Sequence, residues 1–413
     1  MSVNPQPKPF GIYIHIPFCR SKCHYCAFNS VVVEGFSLEK WWEIFRDDFL
    51  SFCGREGIDS ATHRLSSIYF GGGTPSLMPS RYIGSLISLI KDFFSYSHYA
   101  SNSEGLGEVG VESGLEVTLE ANPDNLGKGK LEGFLAAGVN RLSLGLQSMN
   151  EAELKTLGRR HGAEEARIAV SNATGAGFSN ISLDLMYGLP GQTLASWTRT
   201  LSEIIELSSV HVSLYNLSIE EGTPFFKRYP PTGSSAGQEK SFITEDLELE
   251  MYERAITMLT TAGYVHYEIS NFALPGFVSA HNQGYWLGRD YMGLGPGAHS
   301  FLGSFGGGRR FWNEADLRLY EEKLCQGSPV AGAETLSRDE AMTEAVLLGL
   351  RMLDYGIDVE AYRGTFGEEA WQRLFQRCLE FERKGLLHVT RERVTLRRKA
   401  LFTANEVCLG LVS

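Results

Sequence analysis

Residues 11–30 read GIYIHIPFCR SKCHYCAFNS, and their three cysteines, Cys19-x-x-x-Cys23-x-x-Cys26, decide the fold. The triplet directly follows an apolar run, Ile12–Ile16, which predicts a β-strand. Thiolates are the usual ligands of iron–sulfur clusters. Three of them at this spacing can hold three irons of a [4Fe-4S] cluster and leave the fourth iron open. The sequence therefore predicts a cluster at the carboxyl end of the first strand.

A zinc site is the alternative interpretation of the triplet. Structural zinc takes four closed ligands, so His15, His24 or a distant cysteine would have to supply the fourth. A third interpretation, unrelated core cysteines, is weakened because Arg20 and Lys22 make the loop polar.

The composition narrows the class of protein. The chain has 413 residues, 43% of them hydrophobic, and a net charge of −11, which disfavours a general nucleic-acid surface. Four of its seven cysteines are scattered singly, which predicts a reducing compartment rather than a disulfide framework. Residues 1–10 do not resemble a signal peptide, and the sequence lacks the run of roughly 18 apolar residues that a membrane-spanning helix needs. We therefore predict a cytoplasmic protein.

Six short apolar-rich runs alternate with helical patterns in the first half of the chain. Helix-length connections between strands predict parallel pairing with right-handed crossovers. The predicted strands are Ile12–Ile16, Ser67–Phe70, Leu115–Glu120, Arg141–Gln147, Ile181–Met186 and His211–Leu217.

These strands alternate between aliphatic and polar residues, although parallel strands that are buried on both faces are usually continuously apolar. An antiparallel sheet with one wet face is one explanation. We favour a partial (βα)6 barrel, an α/β fold whose aliphatic residues pack outward on helices. Its polar lumen would then contain Glu120, Gln147 and Asp184.

Three domains are predicted: residues 1–245 form the barrel, residues 246–335 a linking segment, and residues 336–413 a small C-terminal domain. Ser337 and Glu340 form a capping-box pattern, and two helices followed by a hairpin indicate a winged-helix-like module. Its basic residues suggest nucleic-acid binding, but the acidic chain favours a structural or lid role. Two segments rich in Gly and Ser, 97–114 and 228–239, are predicted loops.

The cysteine triplet and the turn Gly71-Gly72-Gly73-Thr74-Pro75 together resemble the radical S-adenosylmethionine superfamily. The resemblance implies a [4Fe-4S] cluster whose open iron binds S-adenosylmethionine, with an electron from a low-potential donor cleaving that cofactor to a radical. The protein positions and shields such a cofactor.

A closer resemblance is to the coproporphyrinogen III oxidase-like branch, through residues 13–19, residues 69–76 and Asp184-Leu-Met-Tyr-Gly-Leu-Pro190. The family pattern implies cluster ligands Cys19, Cys23 and Cys26. It also implies cofactor contacts at Tyr13, Gly73, Thr74, Glu120, Gln147, Arg159 and Asp184. The bare backbone of the glycine turn adds Gly72 as a further predicted contact. Arg160, adjacent to Arg159, is a rival for the arginine role.

Two departures from the oxidases point to a different member of the branch. The oxidases carry a fourth cysteine two positions after the third, where this chain has Phe28, and they have a long extension before the cluster, where this chain has 18 residues. Both departures are similar to those of the HemW-type haem chaperones. The resemblance implies haem binding and delivery to apo-haemoproteins, such as respiratory enzymes, with peripheral contact at membrane haemoproteins. The alternatives are an oxygen-independent coproporphyrinogen III oxidase or another radical enzyme acting on a tetrapyrrole.

The segment His281-Asn-Gln-Gly-Tyr285-Trp286 resembles the haem-binding segment of those chaperones. Imidazole suits iron, and the aromatic rings suit porphyrin faces. His281 is therefore the predicted haem-iron ligand, although a buried histidine that only makes hydrogen bonds is an open alternative. His266, His299 and Cys325 are rival ligands.

Overall fold

A computed structural model describes residues 6–94, 114–229, 243–303 and 306–412. Six parallel strands form the centre of its main sheet, in the order β1-β4-β5-β6-β7-β8 when strands are numbered along the chain. They are β1 (Lys8–Ile16), β4 (His63–Gly72), β5 (Glu116–Ala121), β6 (Arg141–Gln147), β7 (Ile181–Tyr187) and β8 (His211–Asn216). All six predicted strands are present, so the parallel arrangement is confirmed. Most of the two predicted loops lies outside the described residues.

Helices connect these strands, and two more helices follow the last strand, β8. They are α1 (Leu38–Glu56), α2 (Ser80–Phe93), α3 (Lys128–Ala136), α4 (Glu151–Leu157), α5 (Ala163–Ala176), α6 (Leu194–Glu206), α7 (Pro224–Arg228) and α8 (Glu245–Thr261). Side-chain caps begin several of them: Asn150, for example, accepts hydrogen bonds from the backbone N–H groups of Ala152 and Glu153 at the start of α4. Gly57, in the left-handed conformation with φ 65°, ends α1.

The two faces of the strands differ as the alternating pattern predicts. Leu142, Leu144 and Leu146 of β6 are fully buried in the hydrophobic core. The polar residues of the same strand face the interior, where the Ser143 hydroxyl donates to the Asp184 carboxylate across to β7, at 2.8 Å. The polar residues therefore line the inside of a partial barrel, and the predicted fold class is confirmed.

Residues 246–335, predicted to be a linking segment, add strands to both edges of the barrel sheet. Strands β9 (Val265–Glu268) and β10 (Asn271–Ala273) continue it beyond β8, and the short helix α9 (Ala280–Trp286) follows. At the other edge, β11 (Asp290–Leu294) pairs parallel with β1, and β12 (His299–Leu302), β13 (Arg309–Asn313) and β14 (Val330–Thr335) continue antiparallel. Helix α10 (Leu317–Cys325) lies between the last two strands in sequence.

The C-terminal part contains the predicted helices and hairpin. Helix α11 (Arg338–Gly349) begins at a capping box of Ser337 and Glu340, and α12 (Val359–Arg383) is kinked at Gly367, where φ is 83°. Strands β16 (Leu387–Val389) and β17 (Arg393–Leu396) form the hairpin, with β15 (Ile357–Asp358) on the other side of β17. Helix α13 (Ala404–Val412) and the two-residue β15 were not predicted. A strand of two residues is too short to produce a sequence period.

Two further strands, β2 (Phe18–Cys19) and β3 (Val31–Val32), pair at the base of the cysteine loop, residues 17–30. None of the described helices is both long and apolar enough to cross a membrane.

A buried carboxylate joins α1, α10 and the turn after β11. Asp48 accepts hydrogen bonds from the Tyr320 hydroxyl and from the Gly295 backbone N–H, the latter at 3.0 Å. Burial raises the pKa of Asp48 to about 6. An aspartate in the unfolded chain ionises near pH 3.9.

This difference in pKa predicts a pH dependence of stability. Between about pH 4 and pH 6 the folded chain binds more protons than the unfolded chain, so Asp48 makes the free energy of unfolding fall as pH rises, by about 3 kcal/mol in all. Asp48→Asn keeps an acceptor oxygen but cannot ionise. Urea unfolding of both chains should show the wild type losing stability relative to the variant across this window. Parallel pH profiles would contradict the assignment.

Candidate functional site

The three predicted cluster ligands lie in the cysteine loop as free, half-buried thiols. The Thr74 hydroxyl donates to the Cys19 sulfur at 3.6 Å, and the Arg159 guanidinium donates to the Cys23 sulfur at 3.6 Å. Donors directed at sulfur are among the groups that tune iron–sulfur clusters. The chemistry of this loop, three thiols with two external donors, fits a cluster with one open iron.

The histidines proposed for a zinc site are engaged elsewhere. His15 accepts from the Tyr13 hydroxyl at 3.0 Å and donates to the Asn29 carbonyl at 2.7 Å, while His24 is bonded to the Thr156 carbonyl at 2.9 Å. Among the described residues, no three His, Cys, Asp or Glu side chains converge as one metal ion requires.

The glycine-rich turn at the end of β4 is pressed against the cysteine loop. A Cβ at Gly72 would lie 2.6 Å from the His15 ring, and one at Gly73 would lie 2.6 Å from the Phe18 carbonyl oxygen. Gly72 also has φ 106°, a region that L side chains rarely adopt. Only glycine therefore fits these two predicted positions, and the backbone stays accessible to a ligand.

Glu120 lies at the carboxyl end of β5, beside this turn. Its carboxylate accepts from the Tyr69 hydroxyl at 2.8 Å and from the Gly72 N–H at 3.1 Å. Burial raises the pKa of Glu120 to about 7. A carboxylate held near neutral pKa suits hydrogen bonding to hydroxyl or ammonium groups of a polar ligand.

Arg159 and Asn122 connect the cysteine loop with the barrel. The Arg159 guanidinium donates to the Asn122 amide oxygen at 2.6 Å and to the Gly145 carbonyl, and the Asn122 amide donates to the Thr74 hydroxyl at 3.0 Å. Arg160, its sequence rival, points instead to Asp124 at 3.7 Å and is largely exposed. Asn122 was missed by the sequence analysis, although its place just after β5, two residues past Glu120, was a usable signal.

The remaining predicted cofactor residues lie on neighbouring strands. Asp184 accepts from Ser143 and Ser182, and burial raises its pKa. Gln147 ends β6 with φ 66°, which is unusual for a residue other than glycine, beside an irregular register with β7. Such backbone strain is often found at functional sites.

His281 occupies a buried position on α9. Its side chain is only 3% exposed, its Nδ1 is bonded to the Ser67 hydroxyl at 2.8 Å, and its Nε2 is bonded to the Tyr285 hydroxyl at 2.8 Å. The ring stacks on Tyr69 with centroids 4.9 Å apart. Neither nitrogen is free for iron in this conformation, so the predicted ligand role of His281 requires one of these bonds to break.

A cavity of about 640 Å³, called here the main cavity, lies between the barrel, the added strands and α11. This volume lies within the range of small-molecule and cofactor sites, roughly 300–1,000 Å³. Its walls combine predicted cofactor residues, the end of the cysteine loop and the aromatic residues of the predicted haem segment. Among them are Tyr13, Gly72, Glu120, Phe28, Tyr285, Trp286, His299, Phe301, Arg310 and Leu348. Thr74 and Arg159 line a smaller second cavity together with Cys23.

The fold and this site define a class. Residues 13–204 match the family model described as the Radical SAM superfamily, and residues 336–403 match the HemN C-terminal domain. In structure, the chain is similar to coproporphyrinogen III oxidase (HemN) from Escherichia coli, with a TM-score of 0.75 over 99% of this chain and 91% of that one. At 20% identity, this likeness shows a common fold.

Similarity to curated proteins is more specific. The chain is 33% identical to the haem chaperone HemW of Lactococcus lactis over 97% of its own length and 96% of that protein. It is 31% identical to HemW of Bacillus subtilis, over 96% and 97% respectively. It is 32% identical to a mitochondrial radical S-adenosyl methionine domain-containing protein 1 of Bos taurus, over 99% and 88%. The chain therefore belongs to the HemW family of the radical SAM superfamily.

The cysteine loop yields a direct prediction. Cys23→Ser should remove the iron–sulfur absorbance of the anaerobically reconstituted protein, because a serine hydroxyl replaces the thiolate that the cluster needs. Cys325→Ser, at an exposed cysteine at the end of α10, is the matched control and should keep the absorbance. Equal iron and sulfide contents in the Cys23 variant and the wild type would refute the ligand assignment.

Proposed function

We propose that this protein is a haem chaperone, which binds haem and delivers it to apo-haemoproteins, including respiratory enzymes. One observation carries the proposal: the main cavity joins Tyr13, Gly72 and Glu120 to the aromatic residues Tyr285 and Trp286. A single apolar chamber next to the cysteine loop suits a large planar ligand. The names of the curated relatives support haem as the cargo.

We further propose that Cys19, Cys23 and Cys26 hold a [4Fe-4S] cluster. Tyr13, Gly72, Gly73, Thr74, Glu120, Gln147, Arg159 and Asp184 are the proposed contacts of S-adenosylmethionine. When bound, the cluster and S-adenosylmethionine would supply one-electron chemistry. This chain's own residues orient the ligand: the bare Gly72 and Gly73 backbone admits its polar end, and the Glu120 carboxylate accepts hydrogen bonds. Desolvation of that carboxylate raises its pKa to about 7.

Phe28 distinguishes the proposed chaperone from an oxidase. Its ring is 66% exposed and forms part of the cavity wall at the position where the oxidases have a fourth cysteine. An aromatic ring offers a porphyrin a stacking surface, and such contacts contribute about 1 kcal/mol beyond buried area. A thiol at this position would offer neither that surface nor the same apolar area.

We also propose roles for the three parts of the chain and a cellular setting for the protein. Residues 1–245, 246–335 and 336–413 are proposed to act as barrel, cavity wall and lid-like C-terminal domain. We propose that the protein works in the cytoplasm, receives electrons from a low-potential donor, and meets membrane haemoproteins by peripheral contact.

An anaerobic assay separates the proposal from coproporphyrinogen III oxidation. The reconstituted protein is incubated with S-adenosylmethionine and a reductant, once with coproporphyrinogen III and once with haem and an apo-haemoprotein. We expect stoichiometric haem binding and transfer, with no conversion of the coproporphyrinogen. Formation of protoporphyrinogen at enzymatic rates would refute the chaperone function.

The same assay tests the role of Phe28. Phe28→Ala should weaken haem binding about fivefold, the equivalent of about 1 kcal/mol of stacking. Ile168→Ala, an exposed apolar residue on α5 that does not line the main cavity, is the matched control. Equal haem affinity of the Phe28 variant and this control would remove Phe28 from the proposed site.

A further inference from the structure

We infer that His299, at the start of β12, binds the iron of haem in the main cavity. The inference rests on the proposed function and names the ligand that this function requires. The coordinate bond needs only the lone pair of a neutral imidazole nitrogen, so no oxidant or reductant takes part. The other histidines near the site are restricted by contacts that His299 does not make.

Two histidines adjoin the main cavity or its walls but have both nitrogens occupied. His15 lines the cavity, yet its ring is bonded to the Tyr13 hydroxyl and to the Asn29 carbonyl. His281 is held by Ser67 and Tyr285. Binding iron through either nitrogen would cost each of them the hydrogen bond on that nitrogen, a cost that the ring of His299 does not carry.

The other rival ligands lie away from the cavity. His266 stacks on Phe272 with centroids 4.0 Å apart and donates to the Ile269 carbonyl at 3.2 Å. Cys325 is exposed at the end of α10. Neither belongs to the lining of the main cavity.

His299 combines access to the cavity with an unoccupied ring. It lines the main cavity and is exposed, and within the described part of the chain its ring nitrogens make no hydrogen bond. Its ring stacks on Trp312, with centroids 5.7 Å apart and an interplanar angle of 27°. Partial desolvation of the ring and the charge of Arg310 lower its pKa, which favours the neutral imidazole. A neutral imidazole is the form that binds iron.

The backbone before His299 is fixed to the barrel and to the cysteine loop. A Cβ at Gly295, where φ is 98°, would lie 2.4 Å from the His15 carbonyl oxygen. The Asn29 amide donates to the carbonyls of Pro296 and Ala315, each at 3.0 Å. Asn29 lies three residues after Cys26. Its hydrogen bonds therefore attach the turn before His299 to the cysteine loop.

The other walls suit a porphyrin. Phe28, Trp286 and Leu348 present apolar surface to the same cavity. The guanidinium of Arg351 lies 4.3 Å from the centre of the Trp286 ring and stabilises its orientation by a cation–π contact. The Arg289 side chain also lines the cavity, and guanidinium groups bind carboxylates such as porphyrin propionates. The Arg310 guanidinium lines it too but is paired with Glu334 and Glu344.

The test is a titration of the purified full-length chain with ferric haem, followed by absorption spectroscopy. We expect His299→Gly to weaken haem binding about tenfold or more and to shift the haem bands, an effect in the range for perturbed metal ligation. Added free imidazole should restore the wild-type bands in that variant, which a merely structural role would not allow. His299→Gln, closer in size, should show the same loss of ligation.

His388→Ala supplies the matched control, because His388 is an exposed strand histidine in the C-terminal hairpin; it should bind haem as the wild type does. The inference is overturned if the His299 variants keep wild-type bands, or if His281→Ala alone loses them. A wild-type chain that binds no haem would overturn the proposed function, and the ligand assignment with it. Haem binding by the wild type with unchanged His299 variants would overturn the ligand assignment alone.

Discussion

Two backbone hydrogen bonds hold the site together. Gly73 donates to the Ile16 carbonyl at 2.8 Å, and Thr74 donates to the Phe18 carbonyl at 2.7 Å. They join the glycine-rich turn after β4 to the chain that leaves β1 for the cysteine loop. The close approach is available only because residues 72 and 73 lack side chains. From this junction, Thr74 reaches Cys19 and Gly72 reaches Glu120.

The polar interior of the barrel follows from the same arrangement. Buried carboxylates are costly unless they are hydrogen-bonded, and Glu120 and Asp184 each have two side-chain or backbone donors. These hydrogen bonds stabilise the two carboxylates and leave the interior of the barrel polar and open. The added strands β11–β13 and helix α11 then enclose the space above the barrel strands as the main cavity.

Much of this arrangement was predictable, because its signals are local. The strands of the barrel have a two-residue period, and the cysteine spacing lies within eight residues. The edge strands β9–β14 were missed because they are short and lie in a segment rich in Gly, Tyr and His. The environment of His281 was not predictable either. Its partner Ser67 lies 214 residues earlier in the chain, and no local pattern encodes such a contact.

Haem binding as proposed here requires one location for haem, the main cavity beside the cysteine loop. A crystal structure of the haem-loaded protein, with iron located by anomalous scattering, tests this most directly. We predict one iron site inside the cavity, between Phe28 and Trp286 and within bonding distance of a His299 ring nitrogen, separate from the irons at the cysteine loop. A haem iron on the outer surface of the barrel or of the C-terminal domain would contradict the account.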